Sequence, residues 1–545
     1  MRRVSSILAA VAVCLPSAAY AATYQVGPSR QHTQLTDVEA ILQPGDVVEV
    51  DGGATYSGDI HIRPQSAGTE TQKITIRGMP VNGQRPIISG GSQFGIVLHG
   101  NHTIFENFEV TGSNGACVIN KAHDLTLRNL YVHDCPGQGI LGTDSDAGDQ
   151  TIEFSEIART GGGIYDHQIY LANDQTLYPN ARMRIQHNYI HDGLGGNNVK
   201  SRASRNEIYY NWIESPYYHI LDLIGADGQD PSLAREDSDV VGNVLIQTSQ
   251  YTIARIGGDG TGNSDGRYRF AYNTIVTSPS QGSLFRANAG IESIAIHDNV
   301  FVMPNGGSPN FLDSGDAEWT TGSPQIAAER NFVQQGMSAP SFFTSTVVAP
   351  DAMFTDFANG NFTPATGSPL IDAGAAGSGP SGYEIPNPLA VPESVPPART
   401  VGTEALLRPV VGTPDVGAYE FGTQVDPGPG TGGGSGTGGG DTGGSGSGGN
   451  GSGGSGSGSG GNGSGSGAGS SDDDGSGVGA GLPGSGGSGG SDSDGSGLDD
   501  DGSGGGSTGG GCSATGAAAP GMVSSALVGL AALAAGLRRR RTARK

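Results

Sequence analysis

One short pattern recurs along most of the chain and limits the fold more than any other feature of the sequence. Each copy begins with two apolar residues that have one residue between them. A short spacer and an Asn come next, and a second apolar pair follows the Asn. With small variations the pattern occurs as HTIFENFEV, DLTLRNLYV, RMRIQHNYI, NEIYYNWI, SDVVGNVLI, RYRFAYNTI and SIAIHDNVF. The Asn residues stand at positions 107, 129, 188, 211, 243, 273 and 299, with Ser155 of TIEFSEI between the second and the third.

Short strands of alternating polarity that return at irregular intervals above about 20 residues are typical of a coiled, stacked β architecture. The sequence therefore predicts an all-β protein, a single-stranded right-handed parallel β-helix whose loops differ in length from coil to coil. An antiparallel sandwich also contains many short strands, but it would not place an Asn at the same point of each unit. Asn tolerates left-handed dihedrals at a bend, and its amide can bond to the next coil. We expect an internal Asn ladder without a catalytic role.

The beginning of this region predicts a cap. The segment QLTDVEAILQPGDVVEV predicts a short amphipathic helix, a Pro-Gly-Asp turn and a strand. The open end of a β-helix exposes unpaired backbone groups. We therefore expect an N-terminal helical cap over the first coil.

The two ends of the chain differ from its body, which we place at 22–421. Residues 1–21 predict a secretory signal peptide, because two Arg precede a short apolar run and Ala-Tyr-Ala offers a cleavage site. Residues 422–511 are Gly, Ser and Asp with almost nothing apolar, which predicts a disordered linker. In the final segment 512–545, residues 517–537 predict an apolar helix of about one membrane thickness, followed by four Arg.

Charge narrows the range of partners. The chain has 53 acidic and 29 basic residues and a formal net charge of −24. Nucleic acid is therefore not expected as a partner. Any polyanion would need basic residues that are gathered locally. Nothing in the sequence indicates an oligomer, and we expect a monomer.

Two further features leave alternatives open. Cys117 and Cys135 are the only Cys in the body; in an oxidising compartment they can form a disulfide, or they can be two small buried thiols. The acidic loops 142–149 and 225–239 could bind Ca²⁺. Neither loop has the ordered spacing of a known calcium loop, so solvated surface loops are the preferred interpretation and no cofactor is assigned.

One set of strands gathers the scarce cations. The segments HQIYLAND, NNVKSRAS, HILDLIGA, TIARIGGD and SLFRANAG can be aligned by their apolar residues Ile169, Val199, Leu221, Ala254 and Phe285. Neighbouring coils stack about 4.8 Å apart, so the following residues form an outward column. Its members are Tyr170, Lys200, Asp222, Arg255 and Arg286. A slip of one residue remains open for Arg255 and Arg286.

Three side chains lie beside this column. Arg202 is two residues after Lys200 and therefore on the same face of a strand. His167 and His219 precede Tyr170 and Asp222 by three residues. A local basic groove on an acidic body fits an acidic polysaccharide, with the two His, Arg255 and Arg286 as binding residues.

These residue types suit β-elimination from a uronic acid. That reaction needs a neutralised carboxylate, a base for the C5 proton and an acid for the leaving oxygen. Lys200 or Tyr170 could serve as the base, Arg202 could neutralise the carboxylate, and Asp222 could act as an acid or set the protonation of the lysine. We therefore predict a lyase-like site.

Two other functions stay open. A glycoside hydrolase needs two opposed carboxylates, for which Asp222 could pair with Asp166 or Asp192. A non-catalytic surface or adhesion module would use the β-helix only as a spacer. Its charged column would then be a solvated stripe.

Several segments resemble known families. The opening DGGATYSGDIHI…AGTETQKITIRG resembles that of the pectate-lyase-like superfamily, especially its chondroitinase B and alginate lyase group. The closing GSPLIDAG and PDVGAYEF resemble the closing segment of many secreted bacterial β-helix proteins. VKSRASRNEIYYN resembles the segment that carries the base lysine of those lyases, which implies Lys200 as the base. The chain departs from the pattern at Gly193, Gly195 and Gly196, where those lyases have acidic calcium ligands, and at Asp222, where they have an arginine.

The tail resembles a second signal. GCSATGAAAP, the apolar run and RRRR are similar, in that order, to the C-terminal sorting tag of myxobacterial surface proteins. The resemblance implies cleavage near Cys512 by a sorting protease and display at the cell surface or outer membrane. The alternative is an ordinary C-terminal anchor helix.

Overall fold

The computed structural model describes residues 21–423, except 226–235, 259–263, 279–281, 289, 315–324 and 378. Within these residues the chain passes repeatedly through three parallel sheets, with one strand in each sheet per coil. The coils stack into a parallel β-helix, as the sequence predicts. Because each coil hydrogen-bonds to the next, every outward side chain has neighbours about 4.8 Å away on adjacent coils.

The three sheets follow one another along the chain. Sheet A consists of β1 (Thr23–Val26), β2 (Val47–Asp51), β5 (Ile74–Met79), β8 (Thr103–Glu106), β11 (Leu125–Arg128), β14 (Gln150–Glu153), β17 (Arg182–Gln186), β20 (Arg205–Tyr209), β23 (Asp237–Val241), β26 (Gly266–Ala271), β29 (Ile291–His297), β32 (Ile326–Glu329) and β34 (Phe343–Thr344). Sheet B consists of β3 (Thr55–Ser57), β6 (Ile87–Ser89), β9 (Glu109–Thr111), β12 (Tyr131–His133), β15 (Glu156–Ala158), β18 (Tyr189–His191), β21 (Trp212–Glu214), β24 (Val244–Ile246), β27 (Thr274–Val276), β30 (Val300–Val302), β33 (Phe332–Gln334) and β35 (Val347–Ala349). Sheet C consists of β4 (Ile60–Ile62), β7 (Phe94–Leu98), β10 (Ala116–Asn120), β13 (Ile140–Gly142), β16 (Ile169–Leu171), β19 (Val199–Ser201), β22 (Leu221–Ile224), β25 (Ala254–Gly257), β28 (Ser283–Ala287) and β31 (Asn310–Ser314).

The core is a column of apolar side chains along the helix axis. On sheet A, Ile152, Ile185 and Ile208 are direct partners across β14, β17 and β20, and all three are buried. Alternate residues on each strand point outward. Burial of one such side chain contributes about 1.5–3 kcal/mol. The repeated apolar pairs of the sequence therefore become one continuous core.

The predicted Asn ladder is confirmed for Asn188, Asn211, Asn243 and Asn273, and it continues to Asn299. At each step the later Oδ1 accepts both the backbone N–H and the Nδ2–H of the earlier Asn, at 2.8–3.0 Å. All five side chains are fully buried. A ladder of this kind satisfies buried backbone groups that water cannot reach.

The left-handed residue at these bends is the one before the Asn, which differs from the expectation. His187, Tyr210 and Tyr272 have φ of 55°, 56° and 54°. Asn107 and Asn129 do take the left-handed conformation themselves, at 67° and 50°.

Asn107 and Asn129 therefore stand one position earlier in the bend than the later ladder residues. They bond to each other at 3.1 Å, while the Leu130 N–H donates to Ser155 Oγ at 3.0 Å. The alignment of all seven Asn in one column was wrong for these two. At the other end, Asn331 extends the ladder from Asn299 and was missed.

The expected amphipathic helix at the N-terminus is a single 3₁₀ turn, Leu35–Asp37. Its apolar residues Leu35, Val38 and Leu42 are nevertheless buried in the core. Pro44 and the turn around Asp46, which accepts the Ala22 N–H at 2.7 Å, lead directly into β2. So short a segment is marginal as an isolated α-helix, and burial of its side chains decides its conformation.

The C-terminal part of the described chain packs on the outside of the coils. It contains an antiparallel pair, β36 (Phe354–Asp356) and β37 (Asn361–Pro364), and a second 3₁₀ turn, Phe357–Asn359. Arg399 forms two bonds to Glu214, at 2.7 and 2.8 Å, and its guanidinium lies 4.9 Å from the Trp212 ring. This segment therefore covers part of sheet B.

Cys117 of β10 and Cys135, just after β12, are joined by a disulfide with 5.7 Å between the Cα atoms. The bridge ties a strand of sheet C to the end of a strand of sheet B. Both residues are buried, so the bridge is shielded from solvent.

The terminal predictions fall almost entirely outside the described residues. This holds for the signal peptide, the linker, the sorting segment with Cys512 and the apolar helix 517–537. In the described part of the chain, no helix has the length and apolar character needed to cross a membrane.

The ladder predicts a large cost for removing one amide. Asn243→Ala deletes an acceptor for two N–H groups of Asn211 and donors to Ile208 O and Asn273 Oδ1. Each buried group left unsatisfied costs about 1–3 kcal/mol, so we expect a loss of at least about 3 kcal/mol in urea unfolding. Asn114→Ala, in an exposed turn, is the control and should change little. Equal effects of the two variants would contradict a structural role of the ladder.

Candidate functional site

The column predicted from the sequence exists on the outer face of sheet C. Direct partners across successive strands are Tyr170, Lys200, Asp222, Arg255 and Arg286. The sequence left open a slip of one residue for Arg255 and Arg286. In the structure both residues are in register with Asp222, without that slip. The column continues to Asp313 on β31.

The charged character is confined to one half of this face. Before Tyr170, the equivalent positions are Leu141, Ile119 and Val97. The same position on β4 is His61, so the column is apolar on three successive strands, β7, β10 and β13, and polar or charged on every strand from β16 to β31. We call the strands from β16 to β31 the charged half of sheet C.

Tyr170 lies between two cations. Lys200 Nζ is 4.9 Å from the centre of the Tyr170 ring, and Arg202 Nε donates to the Tyr170 hydroxyl at 3.2 Å. Arg202 is itself 6% exposed, and its Nη1 donates to Gly225 O at 2.8 Å. Arg202 is therefore held in place and fixes the direction of the phenol, whereas Tyr170 and Lys200 are partly exposed.

Asp222 is an anchor inside the column. Arg255 donates from Nε to Oδ1 at 2.6 Å and from Nη2 to Oδ2 at 2.9 Å, and Asn197 Nδ2 donates to Oδ2 at 2.9 Å. Asp222 is fully buried. Burial alone would raise its pKa, but Arg255 and then Lys200 outweigh burial and hold the pKa far below its usual range. Asp222 is thus an ionised carboxylate and is not placed to donate a proton.

The two His belong to a second ladder at the entry of these strands. His167 Nδ1 accepts the Asn197 N–H at 2.9 Å, Asn197 Oδ1 accepts the His219 N–H at 3.0 Å, and His219 Nδ1 accepts the Thr252 N–H at 3.1 Å. These bonds link four successive coils, and they place the ring proton of each His on Nε2. The sequence did not reveal Asn197 and Thr252 as members of this ladder.

Both His rings are neutral at pH 7. Burial lowers the pKa of His167 to about 3, with Lys200 acting in the same direction, and lowers that of His219 to about 4. They are 3% and 4% exposed. As substrate-binding residues, the two His could therefore contact a ligand only through the Nε2 edge of each ring.

The glycines before Lys200 have a structural role here. A Cβ on Gly196 would lie 2.3 Å from His167 Nδ1, and Gly196 has φ of +51°. A Cβ on Gly195 would meet Gly162 and Gly163 at less than 3.0 Å. Acidic side chains at 195 and 196 would therefore displace the His ladder and the neighbouring turn.

Aromatic side chains border the column at the strand entries. Tyr165 and Tyr217 are 60% and 50% exposed and precede the two ladder His by two residues each. Tyr218 packs edge to face on Tyr251 with ring centres 4.2 Å apart. The tandem Tyr of SPYYHI was the available signal for this border, and the sequence reasoning did not use it.

The alternative acidic sites gain no support from the geometry. Asp192 is bonded to His191 at the end of β18 on sheet B, away from Asp222. Burial raises the pKa of Asp166, but its proposed partner Asp222 is enclosed. In the described residues, no group of three or more His, Cys, Asp and Glu side chains is arranged to hold a metal ion. Most of the acidic loop 225–239 lies outside those residues, so Ca²⁺ binding there stays a prediction.

Comparisons with known proteins agree with the architecture. A family model described as "Right handed beta helix region" matches residues 60–245. The fold is a right-handed parallel β-helix. A search of curated proteins gave no match.

Solved structures similar to the chain include three carbohydrate-active enzymes. The alginate lyase from Paenibacillus sp. str. FPU-7 is 15% identical with a TM-score of 0.38, over 60% of this chain and 99% of that one. Pectate lyase Pel9A is 12% identical with a TM-score of 0.38, over 73% and 96%. The GH136 lacto-N-biosidase from Eubacterium ramulus is 12% identical with a TM-score of 0.33, over 60% and 68%.

Because Asp222 is buried, we expect its pair with Arg255 to contribute more to the free energy of unfolding than an exposed pair of the same geometry. Asp222→Asn removes the charge that compensates Arg255, and breaking a buried pair costs about 3–5 kcal/mol. Arg30 and Asp51 form the same two-bond fork, at 2.7 and 3.0 Å, with side chains 42% and 25% exposed. Asp51→Asn is therefore the control and should cost about 1 kcal/mol or less. Urea unfolding of both variants measures the difference, and equal losses would contradict the anchoring role of Asp222.

The His ladder predicts acid sensitivity. His219 titrates near pH 6.5 in the unfolded chain and at about 4 in the folded protein. Its contribution to stability is present above pH 6.5 and is lost as pH falls toward 4, by roughly 3 kcal/mol in total. In the same ladder, Asn197 accepts the His219 N–H through an amide oxygen that does not titrate. His219→Asn should therefore make Tm depend less steeply on pH between 6.5 and 4, with the contribution of His167 remaining. An unchanged slope would contradict this assignment.

Proposed function

We propose that the charged half of sheet C acts on or binds an acidic polysaccharide, and that it catalyses β-elimination in a uronate-containing chain. The observation that carries the proposal is the phenol of Tyr170 between Lys200 and Arg202. Such a group of cations on the face of an acidic protein attracts polyanions locally. The exposed rings of Tyr165 and Tyr217 offer flat apolar surfaces with polar edges for sugar rings.

The elimination needs one proton to leave and one to arrive. A base takes the proton from C5, the C4–O bond breaks, a C4=C5 double bond forms, and the leaving oxygen receives a proton. Arg202 bonds to the Tyr170 oxygen and would stabilise it as a phenolate, since a hydrogen bond to the charged form favours that form. Tyr170 can then take the C5 proton and return it to the leaving oxygen.

Lys200 has two roles consistent with this geometry. Its ammonium can pair with the uronate carboxylate and so acidify C5 while Tyr170 is the base. Alternatively Lys200 is the base, as the resemblance to lyases implies. In both cases Asp222 and Arg255 act as positioning residues, because their mutual fork lies directly beneath Lys200 in the column.

The two other functions have weaker support. Hydrolysis needs two opposed carboxylates, but Asp222 is buried, and Asp313, the other carboxylate of the column among the described residues, lies three coils farther along. A non-catalytic surface module would use the same cations and tyrosines for binding alone. Product formation separates that module from an enzyme.

Substitutions at Lys200 and Tyr170 test whether the site is catalytic and which of the two residues is the base. The full-length protein is incubated with a panel of acidic polysaccharides, and the absorbance of unsaturated uronate products is followed. Tyr170→Phe and Lys200→Met should each reduce turnover at least about 100-fold, the usual contribution of a general acid or base. Lys200→Arg should keep measurable turnover if Lys200 only neutralises the carboxylate, and should abolish turnover if Lys200 is the base.

Lys121 is the matched control. It follows β10 on the same sheet, three coils from Lys200, and Lys121→Met should leave turnover and Tm unchanged. Binding without product would favour the surface module. If wild type neither binds nor cleaves any acidic polysaccharide, the proposal is wrong.

A further inference from the structure

A cavity of about 420 Å³ lies on the outer face of sheet B, a different side of the β-helix from sheet C. It is lined by side chains from β3, β6, β9, β12 and β15 and by Val401 of the C-terminal segment. The charged groups of its lining are Glu109, Glu156 and Arg85. Two carboxylates and one guanidinium give the lining only a small negative excess.

The two carboxylates flank one aromatic ring. Glu109, Tyr131 and Glu156 are direct partners across β9, β12 and β15, so two coils, or about 10 Å, separate the backbones of the two Glu. His133 stacks on Tyr131 with ring centres 3.9 Å apart, and Arg159 Nη2 donates to the Tyr131 hydroxyl at 2.9 Å. The ring is therefore held in place while it remains partly exposed.

Each carboxylate has one oxygen that is held and one that is available. His133 Nε2 lies 3.2 Å from Glu109 Oε1, and His191 Nε2 lies 3.3 Å from Glu156 Oε1. In the part of the chain that the structure describes, neither Oε2 atom has a hydrogen-bond partner. The Glu109 and Glu156 side chains are 28% and 36% exposed. The two Glu are therefore oriented acceptors that a ligand can reach.

Another wall of the cavity is a tight turn that positions the cation. Asn82 and Gly83 have φ of 53° and 76°, and two backbone hydrogen bonds of 3.0 Å close the turn 81–84, as in a type I′ turn. The next residue, Arg85, donates to Asn129 O at 3.1 Å and to Asn129 Oδ1 at 2.9 Å. The position of the guanidinium is thus fixed by contacts within the protein.

Arg85 keeps donors that the protein does not use. Two of its five N–H groups bond to Asn129; the other three have no partner among the described residues, and the side chain is partly exposed. Burial lowers the pKa of Arg85, and the charges of Glu156 and Glu109 act against burial without a hydrogen bond to the guanidinium. Available donors and acceptors therefore share the cavity without bonding to each other.

This arrangement suits a ligand that both donates and accepts hydrogen bonds. An anion would lie beside two carboxylates, and a cation would lie beside Arg85. A hydroxyl group can donate to Glu109 or Glu156 and can accept from Arg85. Tyr131 and Phe154, which are both partly exposed in the lining, add apolar surface for the faces of a ring.

We infer that the cavity on sheet B binds a neutral sugar unit of a polysaccharide, whose hydroxyl groups donate to Glu109 and Glu156 and accept from Arg85. Its volume falls in the usual range of ligand pockets, about 300–1,000 Å³. The cavity shares no residue with the charged half of sheet C. The inference therefore does not depend on the elimination proposed there.

Titration calorimetry of the full-length protein tests the site with cellohexaose, xylohexaose, mannohexaose and maltohexaose, and with an oligogalacturonate as the acidic comparison. We expect saturable binding of at least one neutral probe. Glu109→Gln and Glu156→Gln should each weaken that binding at least about tenfold, as expected for the loss of a hydrogen bond to a charged group. Two variants are used so that one stays informative if the other lowers Tm. Lys200→Met should bind the neutral probe like wild type, which separates this site from the one on sheet C.

Glu106→Gln is the matched control. Glu106 is three residues from Glu109 and has a side chain 24% exposed, against 28%, but it lies on sheet A and pairs with Arg128. It belongs to a column that alternates in sign, in the order Glu49, Arg77, Glu106, Arg128 and Glu153. Glu106→Gln should leave the binding of neutral probes unchanged. The site is overturned if no neutral probe binds, if only the oligogalacturonate binds, or if the Gln variants at 109 and 156 bind like wild type.

Discussion

The hydrogen-bonded stacking of each coil on the next determines the position of every side chain discussed above. Stacking fixes a spacing of about 4.8 Å between equivalent residues, and the buried Asn ladder fixes which residues are equivalent. Each ladder Asn joins the backbone of its own coil to an amide of its neighbour. A slip of one residue would expose the core face of a strand and bury its polar face. The ladder therefore contributes to the register of the functional surface as well as to stability.

This dependence explains how much of the site could be predicted from sequence. The column from Tyr170 to Arg286 follows from aligning apolar residues, because strand partners in a parallel β-helix repeat the same polarity pattern. The alignment does not require knowledge of loop conformation. It was correct even where loops between strands differ in length. Asn107 and Asn129 were misplaced by one residue because a bend has two adjacent positions that accept Asn, one left-handed and one in the ladder.

The sequence does not show which of its two neighbours in a column a charged side chain pairs with. Asp222 lies between Lys200 and Arg255, and either could have been its main partner. Its complete burial selects Arg255, since a planar fork satisfies both carboxylate oxygens at once. Similarly, His167 and His219 were identified as polar residues at the strand entries, but burial turns them into neutral acceptors for backbone N–H groups. The short N-terminal turn differs from the expected helix for a related reason, because core contacts override weak local propensity.

The same spacing constrains charge on the outer faces. Charges 5 Å apart interact by a few kcal/mol at the effective dielectric of a protein surface, so a column of one sign is costly and alternation of sign is favourable. The column from Glu49 to Glu153 follows this rule. The rule is broken where Arg255 and Arg286 are partners on sheet C, and where Arg182 and Arg205 are partners on sheet A. Each of these pairs also meets a carboxylate on a neighbouring coil, since Asp222 and Asp313 adjoin the pair on sheet C and Asp237 adjoins Arg205 on sheet A. A like-charged pair within a column is therefore tolerated where acids on the adjoining coils compensate it, and on sheet C that compensated pair lies in the same column as Tyr170 and Lys200.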